Sequence, residues 1–244
     1  MKSLLWRAPS RSRTRPTLIG LLLVIGTGVS AGYAQTRVPA SGAGANSTQV
    51  PKTAFPKDVF PDTGNRFPAI KREELDDAGK RLYDTRGVAD NFGPGAIRLY
   101  SPAVADSMTG INEYLRRKSG IEPRLVELAI LVTAREMDCE YVWTAHEPAA
   151  QKAGLAQDVI DAVKFRKPAT GLSDKESVVI QLGRGAIGKH KVDSDTFTRA
   201  VKLFGNQGVI NIVSLMGDYA ATTILLNVSD QHVRPNDTPL LPIP

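Results

Sequence analysis

A chain of 244 residues, 42% hydrophobic and only 6% aromatic, is long enough for one ordinary domain with extensions, and its aliphatic and alanine richness favours helices packed on helices. The formal charge of +6 misleads, because Lys2, Arg7, Arg11, Arg13 and Arg15 carry five of the six and leave the rest near neutral. A near-neutral body excludes nucleic acid as an electrostatically recruited partner.

Residues 1–34 read as a secretory signal peptide. A basic segment ending at Arg15 precedes an apolar run from Leu18 to Val29, and Gly32 and Ala34 stand at −3 and −1 of a cut before Gln35. The run falls short of the ~20 residues that span a bilayer. No stable membrane span is therefore expected once the signal is cleaved, and the protein is expected in the periplasm or outside the cell. An uncleaved anchor is the competing reading. Residues 35–67 form a flexible linker, rich in Ser, Gly, Ala, Thr and Pro up to about residue 60.

From Pro68 the pattern is helical. Residues 70–85 (IKREELDDAGKRLYDT) make an amphipathic, charge-laced helix, and NFGPGAIRLYSP is a loop punctuated by Gly93-Pro94-Gly95. Ser101 can cap a helix that opens at Pro102 and runs to about Lys118. Pro123 opens the central helix. Met137-Asp138 breaks it, and Asp138 is the expected cap of the next, which ends at Gly154. Helices follow over 156–165, over 173–188 from a Ser173/Glu176 capping box, and over 194–204 with Gly205 as the stop. The last, 207–227, is apolar nearly throughout, but Asn211, Gly217 and Asp218 argue for a buried helix, partly in a subunit interface. The proline-rich tail, 231–244, lies along a neighbour's surface or is disordered. No alternating run demands a sheet and no glycine-rich phosphate loop follows a strand, so the fold class is all-α.

The chemistry concentrates in Arg124–Gly154. Leu125, Leu128, Ala129 and Val132 mark one face of the central helix, and Val126, Ile130, Leu131 and Ala134 cover most of the rest. A helix apolar on every side is buried on every side. Glu127 in its middle must then be paired, protonated or in use; as a structural ion pair it would take Arg124 or Arg135. On the next helix Cys139, Trp143, His146 and Ala150 recur at four, three and four, which places them in one stripe. Glu127 and His146 are the residue types of general acid–base chemistry. Cys139, the only cysteine, has no internal disulfide partner; it is either a reactive thiol or a small buried hydrophobe. Trp143 is a pocket wall or core, and Tyr141 and Glu140 are supporting candidates. His146-Glu147 lacks a second histidine one turn on, and His190 and His232 read as a helix end and a tail, so three convergent metal ligands cannot be named.

The arrangement E-(x)11-C-E-Y-x-W-x-x-H-x-x-x-A-x-x-A-G-L resembles the carboxymuconolactone decarboxylase family, which includes the alkylhydroperoxidase-D-like proteins. The resemblance covers about residues 68–230 and implies a helical bundle that assembles into trimers or hexamers and works without a cofactor. In the hydroperoxidase branch a Cys-x-x-Cys pair does thiol chemistry, with a glutamate upstream and a histidine downstream relaying protons. By position Glu127, Cys139 and His146 match the glutamate, the first cysteine and the histidine. Val142 replaces the second cysteine and Tyr141 a further histidine. With Val142 no internal disulfide can close, so two-cysteine turnover is excluded; an oxidised Cys139 would need an outside thiol. Decarboxylase-branch members act on a lactone carrying a carboxylate. The implied protein is an exported enzyme acting on a small carboxylated or lactone substrate, with Glu127, Cys139 and His146 as catalytic candidates and Trp143, Tyr141 and Glu140 lining the substrate site. A one-cysteine peroxidase with an external reductant and a non-catalytic helical oligomer are the alternatives.

Overall fold

The central helix dominates the molecule. In the computed structural model, which describes residues 55–86 and 90–243, α4 (Pro123–Glu136) is buried at every position from Leu125 to Arg135. Around it lie α5 (Glu140–Lys152), α6 (Gln157–Lys164), α7 (Asp174–Gly183) and the long α8 (Ser194–Ser229), all of which touch it. Leu128, Ile130, Leu131 and Val132 have no exposed surface. At about 1.5–3 kcal/mol for each buried side chain of this kind, four of them outweigh the several kcal/mol that one buried ion costs. That balance lets α4 carry Glu127 in its middle. At the crossing of α4 and α7, a Cβ on Gly183 would collide with a Val132 methyl, so the two helices approach closely there.

The remaining elements form one flank: α1 (Asp77–Arg86), α2 (Pro94–Arg98) and α3 (Pro102–Glu113), the last continuing as a π-helical turn over Tyr114–Lys118. Among the described residues there is no strand, only an isolated antiparallel bridge between Phe60 and Asn65. The chain is all-α, as its pattern requires. The signal-peptide reading of 1–34 and the linker reading of 35–54 fall outside the described residues.

Several local expectations hold. The Ser173/Glu176 capping box forms in both directions, and Gly205 breaks α8 at φ 67°, ψ 171°. Others are corrected. The helix expected over 70–85 begins late: Leu75 is extended and the Asp76 carboxylate accepts from the Gly79 amide, so α1 starts at Asp77, about two turns further on. Asp138 does not cap α5. It takes a left-handed φ of 48°, Cys139 occupies the cap position, and the Asp138 carboxylate turns to Arg135 and Arg166. The end of the presumed linker is built into the domain, since Thr63 and Asn65 are buried and Asn65 donates to Gln231. The tail also returns to its own domain: Leu241 is buried, Arg135 donates to the Pro242 carbonyl at 2.7 Å, and Leu240 donates to Thr144. Helix α8 is long and apolar enough to cross a membrane; 56% of its apolar window is buried within the domain.

Candidate active site

Glu127 is nearly buried and makes two contacts. Its Oε1 accepts from Nη2 of Arg116 at 2.8 Å, and its Oε2 lies 2.7 Å from Nδ1 of His146. Burial pushes the carboxyl up, but the bond from His146, its charge and the Arg116 guanidinium together hold it below the ordinary carboxylate value of 4.5. An ionised Glu127 accepts from the Nδ1–H of His146; in the neutral ring Nε2 then keeps its lone pair, and in the imidazolium both nitrogens donate. The His146 ring meets Tyr219 edge-on, with centroids 5.1 Å apart. Burial pushes the Tyr219 phenol up to about 12, so it remains a donor at neutral pH.

The partner of Glu127 is neither Arg124 nor Arg135. Arg124 pairs with Glu122 and Glu176, and Arg135 with Asp138. Arg116 comes instead from the π-helical turn that ends α3, and such turns recur at functional sites because they re-aim single side chains.

His146 and Arg116 open onto a cavity of about 250 Å³ with four walls. Helix α2 contributes Pro94 and Arg98; α3 and its π turn contribute Thr109, Asn112 and Arg116; α5 contributes Tyr141, Val142, Ala145 and His146; α8 contributes Tyr219 and Thr222. Arg98 donates to Thr222 at 2.6 Å, tying the α2 wall to the α8 wall. At Gly93, φ is 88° and a Cβ would collide with the Tyr141 hydroxyl, so only glycine lets α2 close down on Tyr141.

Of the six residues singled out in sequence, the structure brings together Glu127, His146 and Tyr141. It places the other three elsewhere. Trp143 has no exposed surface and does not reach the cavity; its indole donates to Glu147, itself paired with Lys164. Helix α5 turns Trp143 about 60° from His146, enough to move it from the cavity wall into the core. Glu140 borders a different groove, with Phe55, His232 and Arg234, and burial raises its carboxyl. Cys139 is 3% exposed and belongs to the core rather than to the cavity surface. Burial raises its thiol pKa, despite the opposing pull of the backbone amides at the start of α5. Ellman's reagent at pH 8 is accordingly expected to leave Cys139 unmodified in the folded protein for many minutes and to titrate it at once in urea. Immediate reaction of the folded protein would restore the peroxidase reading. Arg98, Arg116, Asn112 and Tyr219 carry no local signal in the sequence, since their meeting depends on helices far apart in the chain.

The depressed carboxyl of Glu127 has a consequence for stability. Its folded pKa lies below its unfolded value, so its contribution is full above about pH 4.5 and is lost as pH falls through the folded pKa. Between pH 5 and pH 3 the urea midpoint of the native protein should therefore fall more steeply than that of Glu127→Gln. Parallel curves would show that the pairing contributes nothing.

An all-α fold with a glutamate–histidine couple on two packed helices is the arrangement that the resemblance to alkylhydroperoxidase-D-like proteins implies. Residues 102–182 match the model of the Carboxymuconolactone decarboxylase family, bearing out the resemblance carried by residues 124–155. The fold is also similar to the crystal structure of an alkylhydroperoxidase AhpD core, described as an uncharacterized peroxidase-related protein from Ralstonia eutropha JMP134. That match has a TM-score of 0.57 and 14% identity, and covers 70% of this chain and 92% of that one. No curated protein matches the sequence.

Proposed function

We propose that this chain is an exported carboxymuconolactone decarboxylase-like enzyme that acts on a small carboxylated or lactone substrate by acid–base chemistry, without a cofactor. The single observation that carries this reading is the 2.7 Å contact between Glu127 and His146, backed by Arg116, at the wall of a cavity. The family match over residues 102–182 supports a decarboxylase-like or alkylhydroperoxidase-like role. The burial of Cys139 and its raised thiol pKa favour the first of these.

In this reading His146 Nε2 takes and returns the proton while Glu127 holds the ring and stabilises the imidazolium. Loss of CO2 from a carboxylate borne on the carbon α to a carbonyl, or on its vinylogous γ carbon, leaves an electron pair that spreads onto the carbonyl oxygen as an enolate. Arg116 is the cation placed to stabilise that oxygen. His146, charged with a proton from solvent before the CO2 leaves, delivers it to carbon, so one solvent proton replaces the CO2. The basic leader and apolar run before Gln35 support export. Exposed Ile210, Ile224 and Val228 along α8 support assembly with further copies of the chain. The test is a screen of lactones and carboxylated small molecules, followed by Glu127→Gln and His146→Ala on whichever substrate turns over. Full activity in both variants would end this reading.

A further inference from the structure

The cavity is lined by two guanidinium groups, those of Arg98 and Arg116, and Arg116 is the one that touches the proton chemistry. Arg116 is committed to Glu127, and its buried Nε finds no acceptor among the described residues. Arg98 enters on α2, is half-buried, and is fixed by Thr222 from α8. Among the described residues, Glu127 and Asp218 are carboxylates that act on this pair. Glu127 lies on the Arg116 side. Asp218, 5% exposed, accepts from Asn112 and acts electrostatically on both arginines. A guanidinium offers five donors and no acceptor, arranged in a planar fork that fits a carboxylate. The walls contributed by α2 and α3 are therefore rich in donors where a ligand would lie. At about 250 Å³ the cavity is near the small end of ligand sites, which limits the occupant to a few carbons.

We propose that Arg98 is the specificity-determining residue of this site: it anchors a carboxylate that the substrate keeps throughout the reaction, and so presents the reacting end to His146. This rests on the acid–base reading above. A group that leaves as CO2 is poorly served by a tight ion pair, because binding that is strongest in the ground state does not speed the reaction. The anchored carboxylate is accordingly a second one, and the favoured ligands are short dicarboxylates or lactones bearing one carboxylate. Sequence inspection places Arg98 in a loop. The fold lifts it onto a helix whose first residue, Pro94, also lines the cavity.

The test measures binding without turnover, so it stands apart from the fate of the His146 chemistry. Glutarate, its dimethyl ester and inorganic phosphate are titrated calorimetrically into the full chain as native protein, Arg98→Lys and Arg98→Gln. The expected result is that glutarate binds the native protein at least 10-fold more tightly than its diester or phosphate. Arg98→Gln should weaken glutarate about 10- to 100-fold and abolish the preference over the diester. Arg98→Lys, which keeps the charge and loses the fork, should fall between. Native-like circular dichroism qualifies each variant, and Arg98→Lys serves if Arg98→Gln fails to fold. Undiminished glutarate binding in either folded variant, a native protein that binds none of the probes, or one that prefers phosphate would overturn the assignment. Activity lost in His146→Ala alongside unchanged glutarate binding in Arg98→Gln would sink the anchor and leave the acid–base reading intact.

Discussion

Replacing His146 by alanine is expected to lower kcat about 10²–10⁴-fold, the range set by removal of a positioned general acid–base group. That corresponds to roughly 3–5 kcal/mol of barrier. Glu127→Gln should cost a similar factor by a different route. The amide can still face His146, but it no longer draws the proton to Nδ1 or stabilises the imidazolium, so Nε2 loses basicity and orientation together. Because the two side chains act as one unit across a 2.7 Å contact, the double variant should be scarcely worse than the poorer single variant. Additive losses would mean that the residues work independently, which the geometry does not allow. The two changes should differ in stability. His146→Ala leaves Glu127 paired with Arg116. Glu127→Gln leaves Arg116 without its counter-ion in a site where the guanidinium is only 28% exposed, and should cost on the order of 3 kcal/mol, the low end for a broken buried pair. Urea titration beside the rate measurement separates lost chemistry from lost folding.

What could be read along the chain was whatever repeats at helical period. The burial of α4 follows from apolar residues on all its faces, and Glu127 stands out because it interrupts them. The pairing of Glu127 with His146 follows once α4 and α5 are antiparallel neighbours joined by a tight turn at Asp138. The rest of the cavity is built from contacts between distant segments: Arg98 with Thr222, Asn112 with Asp218, Arg116 with Glu127. None of these pairs leaves a trace in local periodicity. The stretch around Gly93-Pro94-Gly95 shows the difficulty best. Its composition is that of a turn, yet Pro94 opens a five-residue helix that supplies one wall. Arg116 was hidden for a related reason. On a helical wheel it shares a face with Thr109 and Asn112, but nothing local says that this face meets Glu127 of α4.

Trp143→Ala is expected to destabilise the domain by about 3–5 kcal/mol, as for other large-to-small changes at fully buried aromatic positions. Trp143 is 0% exposed and its indole nitrogen donates to Glu147 at 2.5 Å. The loss has two parts, a cavity between α5 and α6 and a hydrogen bond to a buried carboxylate that keeps Lys164 as its remaining partner. Trp143→Phe separates them. Phenylalanine keeps most of the apolar volume but cannot donate, so its cost should lie nearer 1.5–3 kcal/mol, the value of a hydrogen bond to a charged group. Turnover per folded molecule should be unchanged in Trp143→Phe, because the cavity side of α5 is formed by Tyr141, Val142, Ala145 and His146. A variant that keeps its urea midpoint but loses tenfold or more in kcat would return Trp143 to the substrate site. Helical spacing alone places it beside His146, and only the 60° between the two side chains puts one in solvent-reachable space and the other in the core.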